Sequence, residues 1–378
     1  MQKKNILFLS TNGSWGGSEV LWSMAAASIA SPSIQVSTGT FYGEVAKLRE
    51  SEIPATNLGL SKMKVQSLAK RIVRKVSRGK LYAEYFLTTY LKDKKPDLVV
   101  ISQGNNFDGK DFMLSCISAG VKFVTITHLV TKAHWYFLND RSIEELTNCY
   151  VRAHRNYFVA SESLRIHEQM IGSPCENAEI IFNPFINKGG GNFPFPDLKD
   201  GYYKIALVGR HELFHKGYDL LLEVLASEEW KSRPVKFNIF GKGPHTDLLS
   251  RLISICGNPH VKVQAHQEDV ENIWRAHHLL LMPSRMEGQS LSLLEAMHYN
   301  RAAIVTRRAD NADMVEDGVT GFIAPHANTE SLAETMERAW AQRNEWESMG
   351  LAAGRSARTN QPANAVDFFN QKLLAILN

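Results

Sequence analysis

Short apolar runs alternate with longer stretches of helical spacing through the first half of the chain. One helical stretch, over 20–29, is strongly apolar, and the others repeat their apolar residues with the period of a helix. Strands that alternate with helices are typical of a parallel, doubly wound sheet. The predicted strands lie at 5–10, 34–37, 98–102, 123–127, 157–160 and 180–182. The first half therefore predicts an α/β domain.

The same alternation restarts after a segment rich in glycine and proline at 188–196. The predicted strands of this half lie at 203–208, 235–240, 261–263, 279–282 and 302–306. The predicted helices lie at 218–225, 246–255 and 270–276, from 290 and from 329, and at 365–377. A chain of 378 residues is long enough for two cores. We predict domains over 1–185 and 186–361, with a ligand-binding cleft between them.

One turn of the second half combines a strand end, a glycine and a helix start. It follows the apolar run 279–282 and leads into a helix for which Ser290 is well placed as the N-cap. Several backbone N–H groups then converge on one place, with the positive end of the helix dipole behind them. They belong to Gly288, Gln289, Ser290 and Leu291. The turn therefore predicts a binding site for an anion.

Two glutamates flank this anion site, Glu287 in the turn and Glu295 farther along the helix. A carboxylate repels a phosphate group, whereas it accepts hydrogen bonds from sugar hydroxyl groups. The pair therefore favours a ligand with sugars on both sides of a phosphate, which is the outline of a nucleotide sugar. Acidic residues that only complement the helix dipole are the alternative interpretation.

Two cations follow the first strand of the second domain. Arg210 and Lys216 lie beyond the end of strand 203–208, on the side of a parallel sheet where ligands bind. They could hold the two phosphates of a diphosphate, the arginine with its fork and the lysine as a point charge. A solvent-exposed loop is the alternative. Gly241 belongs to a third turn at the same edge, after strand 235–240.

Three turns of the first domain are predicted at the corresponding edge of its own sheet. They are the glycine-rich turn 13–17, the turn 103–109 and the residues 127–129. Gly16 and Gly17 allow the backbone to approach a ligand closely, but their spacing is not that of a dinucleotide fingerprint. A structural need for glycine in a tight turn is the alternative.

Charge and cysteine content narrow the class of protein. The net charge of +4 divides into +7 over 1–190 and −3 over the remainder. The first apolar run is too short for a signal peptide, and no stretch has the length of a membrane-spanning helix. The four cysteines and thirteen histidines lack metal-ligand spacing, and scattered cysteines fit a reducing compartment. We predict a cytoplasmic protein without a structural metal.

The basic excess of the first half is concentrated in segment 61–80, which holds eight cationic residues and no acidic one. Its apolar residues recur at helical spacing, at Val65, Leu68, Ile72 and Val76. A basic amphipathic helix can lie on an anionic membrane surface, which predicts peripheral association with the inner face of the membrane. A solvated helix packed on its domain is the alternative. Nucleic acid is disfavoured as a partner because the segment lacks interleaved aromatic residues.

Five motifs, taken in order and at their distances, resemble retaining GT-B glycosyltransferases of family 4. They are 16–19, Gly209-Arg210 with Lys216-Gly217, 240–244, the Glu287/Glu295 pair with its seven intervening residues, and 315–322. The resemblance is specific over about 203–325 and looser over 1–184. It implies a GT-B fold, in which two doubly wound, Rossmann-like domains face each other across a cleft. It also implies that a last helix, within 362–378, crosses back to the first domain.

The resemblance implies a role for each residue around the diphosphate of the donor. Arg210 and Lys216 would bind the diphosphate together with the amides of 288–291. Gly16 and Gly17 would approach its β-phosphate from the first domain. Gly241 is part of the donor-binding set on the same edge as Arg210.

The resemblance also implies roles around the sugars and the base. Glu287 would bind hydroxyl groups of the donor sugar, and Glu295 would bind the ribose. His128 corresponds to a histidine beside the transferred sugar. His266 lies near the base.

The implied reaction moves a sugar from a UDP- or GDP-sugar to a hydroxyl group, with retention of the anomeric configuration and without a metal ion. Breaking the anomeric C–O bond leaves negative charge on the diphosphate, which fixed cations and helix-end amides stabilise. The resemblance favours attack from the same face, with the leaving phosphate removing the acceptor's proton, over a carboxylate nucleophile. The implied acceptor is a glycan or lipid-linked glycan in cell-surface polysaccharide or glycolipid synthesis.

The chain departs from the family's pattern at two places. Asp310 and Asn311 stand where the family usually has two glycines, and 265–267 replaces a glycine-containing turn near the base. The identity of the base is therefore open, as are the donor sugar and the acceptor. A sugar-nucleotide epimerase of the same fold and a non-catalytic GT-B subunit are the rival functions.

Overall fold

The computed structural model describes residues 3–12, 16–40, 80–185, 193–267, 269–308 and 311–378. The chain divides into two compact units. Unit 1 consists of Met1–Pro184 together with Asn364–Asn378, and unit 2 consists of Phe185–Ala363. The end of the chain therefore belongs to the same unit as its beginning.

Within the described residues, unit 1 is built around a six-stranded parallel sheet. The strands are β1 Lys4–Ser10, β2 Ile34–Thr40, β3 Leu98–Gln103, β4 Phe123–Thr127, β5 Arg155–Phe158 and β6 Ala178–Ile180. The helices are α1 Gly17–Ile29, α2 Lys80–Lys94, α3 Lys110–Ala119, α4 Asp140–Arg152, α5 Ser161–Ile171 and the C-terminal helix Ala365–Leu377. A 3-10 segment, Lys132–Phe137, lies between β4 and α4.

The strand order of unit 1 is β2-β1-β3-β4-β5-β6. Alternate residues of β1 face opposite layers: Ile6 packs in the core that includes Phe369 of the C-terminal helix, whereas Leu7 packs with Met113 of α3. The C-terminal helix is held by an edge-to-face contact between Phe369 and Tyr157, with ring centroids 5.3 Å apart. The order reverses between β1 and β3, so the turns after these two strands meet.

Unit 2 has a second six-stranded parallel sheet within its described residues. The strands are β7 Tyr203–Val208, β8 Val235–Phe240, β9 Val261–Gln264, β10 Leu279–Met282, β11 Ala302–Thr306 and β12 Gly321–Ala324. The helices are α6 Leu213–Lys216, α7 Tyr218–Leu225, α8 Glu228–Ser232, α9 Thr246–Cys256, α10 Val270–Ala276, α11 Leu291–His298, α12 Asn311–Met314, α13 Thr329–Ala341 and α14 Trp346–Asn360.

The strand order of unit 2 is β12-β11-β10-β7-β8-β9. When β7 to β12 are numbered 1 to 6, the order read from β9 is 3-2-1-4-5-6, which is that of a Rossmann sheet. In such a sheet the direction in which successive strands are added reverses between strands 1 and 4. Those strands are β7 and β10, which pair directly. Ligands of such sheets bind beyond the carboxyl ends of the strands at this reversal. The topology therefore marks the turns after β7 and β10.

The structure confirms the predicted α/β fold with two doubly wound sheets, and several elements match to the residue. Two strands of unit 1, β5 and β6, begin and end two residues earlier than predicted. The apolar run continues after β5 because Val159 and Ala160 are buried on the way into α5, for which Ala160 is the N-cap. Strand β12 is not predicted from the sequence, because 315–322 was interpreted only as a motif.

None of the helices in the described ranges combines the length and apolar character that a membrane crossing needs. Some predictions fall outside the described residues. These are the basic amphipathic helix over 61–79, the linker residues 188–192, the turn residues 13–15, and Asp310.

Candidate functional site

Three turns of unit 2 lie at the carboxyl edge of its sheet, after β7, β8 and β10, and glycines let them touch. Gly217 has a φ of +66°, and a Cβ atom there would lie 1.9 Å from the carbonyl oxygen of Pro283. Gly241 has a φ of +142°, and a Cβ atom there would lie 1.9 Å from the carbonyl oxygen of Gly209. Both positions therefore require glycine for two independent reasons.

The turns after β7 and β10 bring a lysine and a glutamate into direct contact. Nζ of Lys216 lies 2.6 Å from Oε1 of Glu287. The Ser284 hydroxyl donates a hydrogen bond to the same Oε1 over 2.7 Å. The Glu287 side chain is only 9% exposed and that of Lys216 is 23% exposed. Each charge is therefore compensated by the other, an arrangement that the sequence does not predict.

Arg210 also has an acidic neighbour. Its Nε lies 3.3 Å from Oε1 of Glu212, and Oε2 of Glu212 lies 3.0 Å from Nδ1 of His215. The Arg210 side chain is 55% exposed, so it can turn towards a ligand without breaking a buried contact. The turn after β7 therefore presents Arg210 and Lys216 as predicted, but each is paired with a carboxylate.

Helix α11 begins beside the Lys216–Glu287 pair. Ser290 is its N-cap, and its hydroxyl accepts a hydrogen bond from the backbone N–H of Leu293 over 3.4 Å, as predicted. Gln289 and Ser290 are buried, whereas Gly288 and Leu291 are partly exposed. The helix start carries partial positive charge, so the turn is suited to an anion.

Glu295 lies in the middle of α11 and is partly buried. Burial raises the pKa of its carboxyl to about 7. No hydrogen bond or ion pair within the described part of the chain offsets this burial. A buried carboxyl without a partner destabilises its charged form until a donor group reaches it. Glu295 is therefore set apart from Glu287, whose carboxylate already has two partners.

The third turn, after β8, is tied to the first by a histidine. His211 is fully buried, and its backbone N–H donates to the carbonyl oxygen of Lys242 over 3.2 Å. Its Nδ1 lies 2.9 Å from the Thr246 hydroxyl at the start of α9. His211 is not among the site residues that the sequence predicts. Its place between Gly209 and Gly217, in a turn at the ligand-binding edge of the sheet, is the sequence feature that could have indicated it.

His266 lies just past β9, the outermost strand on that side of the sheet, and is exposed. Two strands, β8 and β7, separate β9 from β10. His266 therefore lies on the same edge as the other residues of unit 2 but away from the Lys216–Glu287 pair.

In unit 1, a buried glutamate joins the end of β1 to the start of α1. Glu19 of α1 accepts hydrogen bonds from the Ser10 hydroxyl at 2.9 Å, the Asn12 amide at 2.7 Å and the Trp22 indole at 2.8 Å. Burial raises the pKa of the Glu19 carboxyl, and these hydrogen bonds oppose that effect. Gly16 is the N-cap of α1, and Gly17 is its first residue.

His128 follows β4 at the carboxyl edge of the unit 1 sheet and is 6% exposed. Its Nε2 lies 3.2 Å from the Ser102 hydroxyl, and its Nδ1 is buried without a partner among the described residues. Burial lowers the pKa of His128 to about 3. The imidazole is therefore neutral near neutral pH, where it can donate one hydrogen bond but carries no charge.

A family model described as Glycosyl transferases group 1 matches residues 202–342. The match begins one residue before β7 and ends just after α13, so it contains all the candidate residues of unit 2. It does not extend to the first 201 residues of the chain.

Curated relatives are similar over a comparable share of the chain. A glycogen synthase of Pseudomonas syringae pv. syringae (strain B728a) is 28% identical over 34% of this chain and 27% of its own length. An alpha-D-kanosaminyltransferase of Streptomyces kanamyceticus is 28% identical over 32% and 33%. A poly(ribitol-phosphate) alpha-N-acetylglucosaminyltransferase of Staphylococcus aureus (strain COL) is 27% identical over 32% and 24%. The chain thus spans about a quarter to a third of the length of these relatives.

Solved structures are similar over nearly the whole chain. Anabaena Alr3699/HepE in complex with UDP has a TM-score of 0.74 at 17% identity, covering 99% of both chains. The apo form of the lipopolysaccharide outer core galactosyltransferase WaaB has a TM-score of 0.71 at 17% identity, covering 98% of this chain and 99% of its own. The chain has the GT-B fold. At such low identity the likeness defines the fold alone.

The GT-B fold and the group 1 match together support a place for the chain in the GT-B glycosyltransferase superfamily. Membership of family 4 and retention of configuration stay predictions. The predicted site residues of this GT-B chain fall into two sets, each at the carboxyl edge of one sheet. Unit 2 holds Arg210, Lys216, Gly241, His266, Glu287, Gly288, Gln289, Ser290, Leu291 and Glu295, and unit 1 holds Gly16, Gly17 and His128.

The described ranges of this GT-B chain contain no group of three or more histidine, cysteine, aspartate or glutamate side chains arranged to bind a metal ion. The charges at the unit 2 edge are those of side chains and of a helix start. The predicted independence of a metal ion stays a prediction.

Proposed function

We propose that the chain is a retaining, metal-independent glycosyltransferase that moves a sugar from a nucleoside diphosphate sugar to a hydroxyl group of a glycan or lipid-linked glycan. The observation that carries the proposal is the Lys216–Glu287 pair, 2.6 Å apart, beside the start of α11. It lies where the unit 2 sheet reverses its order, inside the group 1 match.

A diphosphate fits this edge electrostatically. Lys216 is held by one carboxylate, and a diphosphate with two or more negative charges attracts its Nζ more strongly than Glu287 does. The start of α11 adds partial positive charge on the other side. Arg210, which is half-exposed and 3.3 Å from Glu212, can turn to form a fork with phosphate oxygens.

Binding of the diphosphate would free the carboxylate of Glu287 from its lysine. A freed carboxylate that is only 9% exposed needs new hydrogen-bond donors, because leaving it unpaired is costly. Hydroxyl groups of the donor sugar supply such donors. Glu295 is a second such carboxyl: burial raises its pKa, and the hydroxyl groups of a ribose could supply the hydrogen-bond donors that stabilise its charged form.

In the proposed reaction, the anomeric C–O bond of the donor breaks and its electron pair goes to the diphosphate. The acceptor hydroxyl forms the new C–O bond on the same face, and its proton goes to the departing phosphate. Lys216, Arg210 and the amides of α11 stabilise the charge that develops on the leaving group. His128, neutral and buried, is proposed to hydrogen-bond the transferring sugar rather than to exchange a proton near neutral pH.

UDP is the first nucleotide to test. Alr3699/HepE, which has the same fold, is described in complex with UDP and, separately, with UDP-glucose. WaaB, which has the same fold, is a lipopolysaccharide outer core galactosyltransferase, and this agrees with a proposed role in cell-surface glycan synthesis. GDP belongs in the same experiment, because His266 and 265–267 depart from the family's pattern near the base.

We propose a cytoplasmic location, with peripheral attachment to the inner face of the membrane through 61–80. The support is the excess of cationic residues and the helical spacing of apolar ones in that segment. Flotation with vesicles that contain or lack an anionic lipid tests this part by itself. Equal flotation with both kinds of vesicle at low salt would contradict the proposed attachment to an anionic membrane surface.

Thermal-shift measurements with UDP, GDP, ADP and their sugars test donor binding, because a ligand that binds only the folded state raises Tm. We expect one nucleotide and its sugar to raise Tm more than the others. A transfer assay with that sugar and a set of glycan acceptors then tests the reaction. Product without an acceptor would favour the epimerase, and binding without any product would favour the non-catalytic subunit.

The proposed metal independence has its own test. We expect transfer to continue at an unchanged rate in the presence of EDTA, because side chains and amides stabilise the leaving group. Loss of activity in EDTA, with recovery on adding Mg²⁺ or Mn²⁺, would contradict this part of the proposal.

A further inference from the structure

An arginine of the turn after β10 joins that turn to the helix after β7. The guanidinium of Arg285 forms two parallel hydrogen bonds with the carboxylate of Asp219, Nη1 to Oδ1 and Nη2 to Oδ2, each 2.7 Å long. Asp219 lies in the first turn of α7. The Arg285 side chain is 19% exposed and that of Asp219 is 39% exposed. The pair therefore connects the segments that follow β7 and β10, the two strands between which the sheet reverses its order.

The same arginine also grips the backbone immediately before Lys216. Its backbone N–H donates to the carbonyl oxygen of His215 over 2.8 Å, and its Nη1 donates to the carbonyl oxygen of Phe214 over 3.1 Å. The guanidinium lies over the Phe214 ring, 4.7 Å from its centroid. Arg285 thus fixes the residues next to Lys216 from a position two residues before Glu287.

We propose that Arg285 and Asp219 are a positioning pair that sets the geometry of Lys216 relative to Glu287 and so determines the rate of sugar transfer. The inference rests on the proposed function of the edge at β7 and β10. Neither residue of the pair bonds Lys216 or Glu287 directly; the pair acts through the turn 214–216 and the turn 283–287.

The physical reason lies in the shape of the guanidinium. A planar fork with two parallel hydrogen bonds fixes orientation as well as distance, which the point charge of lysine cannot do. Reacting groups lose on the order of 100-fold in rate when they are displaced by about 1 Å. A change at Arg285 that keeps the positive charge but removes the fork should therefore affect turnover more than stability.

Unit 2 offers a closely matched control pair. Arg233 forms two parallel hydrogen bonds with Glu337, of 2.7 Å and 2.6 Å, and its side chain is also 19% exposed. It lies over the Trp230 ring, 4.2 Å from the centroid. Arg233 comes just before the amino end of β8, so this pair is at the edge of the sheet opposite to Lys216. Stability lost at the two pairs should be similar.

The experiment compares Arg285→Lys with Arg233→Lys in the full chain, measuring Tm, the Kd of UDP, and kcat and KM for the donor. We expect both variants to lower Tm by similar amounts. Arg285→Lys should lower kcat at least ~10-fold with a smaller change in KM, because the ion pair acts on geometry. Arg233→Lys should leave kcat within about twofold. Equal kcat values for the two variants would overturn the inference.

A second variant tests whether Arg285 and Asp219 act as one unit. Asp219→Asn should lower kcat as Arg285→Lys does, and the double variant should be no slower than the slower single one. If the fold-losses in kcat of the two single variants multiplied in the double variant, the two residues would act independently. That result would overturn the proposal that they act as a pair.

Crystal structures of Arg285→Lys and Arg233→Lys give a readout that does not depend on activity. We expect the distance between Nζ of Lys216 and Oε1 of Glu287 to increase in the first variant and to stay at its present value in the second. An unchanged distance in both would overturn the positioning role. If the unaltered chain neither binds a nucleotide nor transfers a sugar, the proposed function fails, and this structural comparison still decides the positioning pair.

Discussion

At the level of single residues, the charged side chains of the unit 2 edge compensate one another. The sequence predicts a lysine for phosphate and a glutamate for sugar hydroxyls, each considered separately. The structure pairs them at 2.6 Å, with the Ser284 hydroxyl on the same carboxylate oxygen. Such a pair keeps both side chains in fixed positions and can be opened by a more highly charged ligand. A linear motif cannot indicate this, because Lys216 and Glu287 are 71 positions apart.

Replacing either partner should abolish most of the activity. We expect Lys216→Ala and Glu287→Ala each to lower kcat/KM by at least ~100-fold, the scale of losing a contact to the transition state. Lys231→Ala is the control, because Lys231 has a similar exposure of 26% and forms an ion pair of 2.9 Å with Glu228. Near-normal activity of Lys216→Ala, or a loss of equal size in Lys231→Ala, would contradict the assignment.

The Lys216–Glu287 pair also makes a prediction about stability. Lys216→Ala leaves the 9%-exposed carboxylate of Glu287 without its cation, which should lower the free energy of unfolding by about 1–3 kcal/mol. The double variant with Glu287→Ala should regain part of that loss, because no unpaired charge remains. Urea unfolding of the two single variants and the double variant measures the difference. If the loss of unfolding free energy in the double variant equalled the sum of the losses in the two single variants, the two charges would not be coupled.

Glu295 makes a prediction about pH. Its pKa of about 7 in the folded chain is above the ordinary value, so the folded state binds the extra proton between about pH 4.5 and 7. The stability linked to that proton is fully present below pH 4.5 and is lost as the pH rises through 7. Glu295→Gln cannot lose a proton, so it should be more stable than the unaltered chain at pH 8, by up to about 3 kcal/mol, and similar at pH 5. Urea unfolding at both pH values tests this, and an equal difference at both would contradict it.

At the scale of elements, the local signals of the chain predict α11 and its surroundings well. Ser290 is the N-cap because a short polar residue precedes a helical repeat of apolar residues, and the structure has its hydroxyl on the N–H of Leu293. The bounds of β10 also agree with the prediction, since a short apolar run buried on both faces is a strong signal. β12 is not predicted, because residues 315–322 are interpreted only as a motif, although its four residues are all buried.

The cap of α11 should matter for ligand binding as well as for folding. Ser290→Ala removes a cap worth ~1 kcal/mol and disturbs the amides that face the anion, so we expect lower stability and weaker UDP binding. Asn328→Ala is the control, because Asn328 caps α13 by accepting from the N–H of Ser331 over 2.9 Å. Both variants should lower Tm similarly, but only Ser290→Ala should raise the Kd of UDP in calorimetry. If the two variants changed the Kd of UDP equally, the start of α11 would not contact the ligand.

At the level of the whole molecule, the chain forms two doubly wound units. The sequence predicts the two sheets but not the place where the strand order of each sheet reverses. The alternation of strands and helices predicts two parallel sheets, and the loops after β1, β3, β7 and β10 follow from the strand order. The order itself is set by packing between distant segments, which the local pattern does not encode. The Arg285–Asp219 pair was missed for the same reason: its members are 66 positions apart, and although Arg285 lies in the turn before α11, nothing in the sequence connects it to Asp219.

A crystal structure of the chain with UDP bound would show directly whether the Lys216–Glu287 pair opens for a diphosphate. We expect Nζ of Lys216 to leave Glu287 and contact the diphosphate, the amides of 288–291 to face the same phosphates, and the ribose hydroxyls to reach Glu295. A diphosphate bound elsewhere, with the Lys216–Glu287 pair still closed and Glu295 still without a partner, would contradict this expectation.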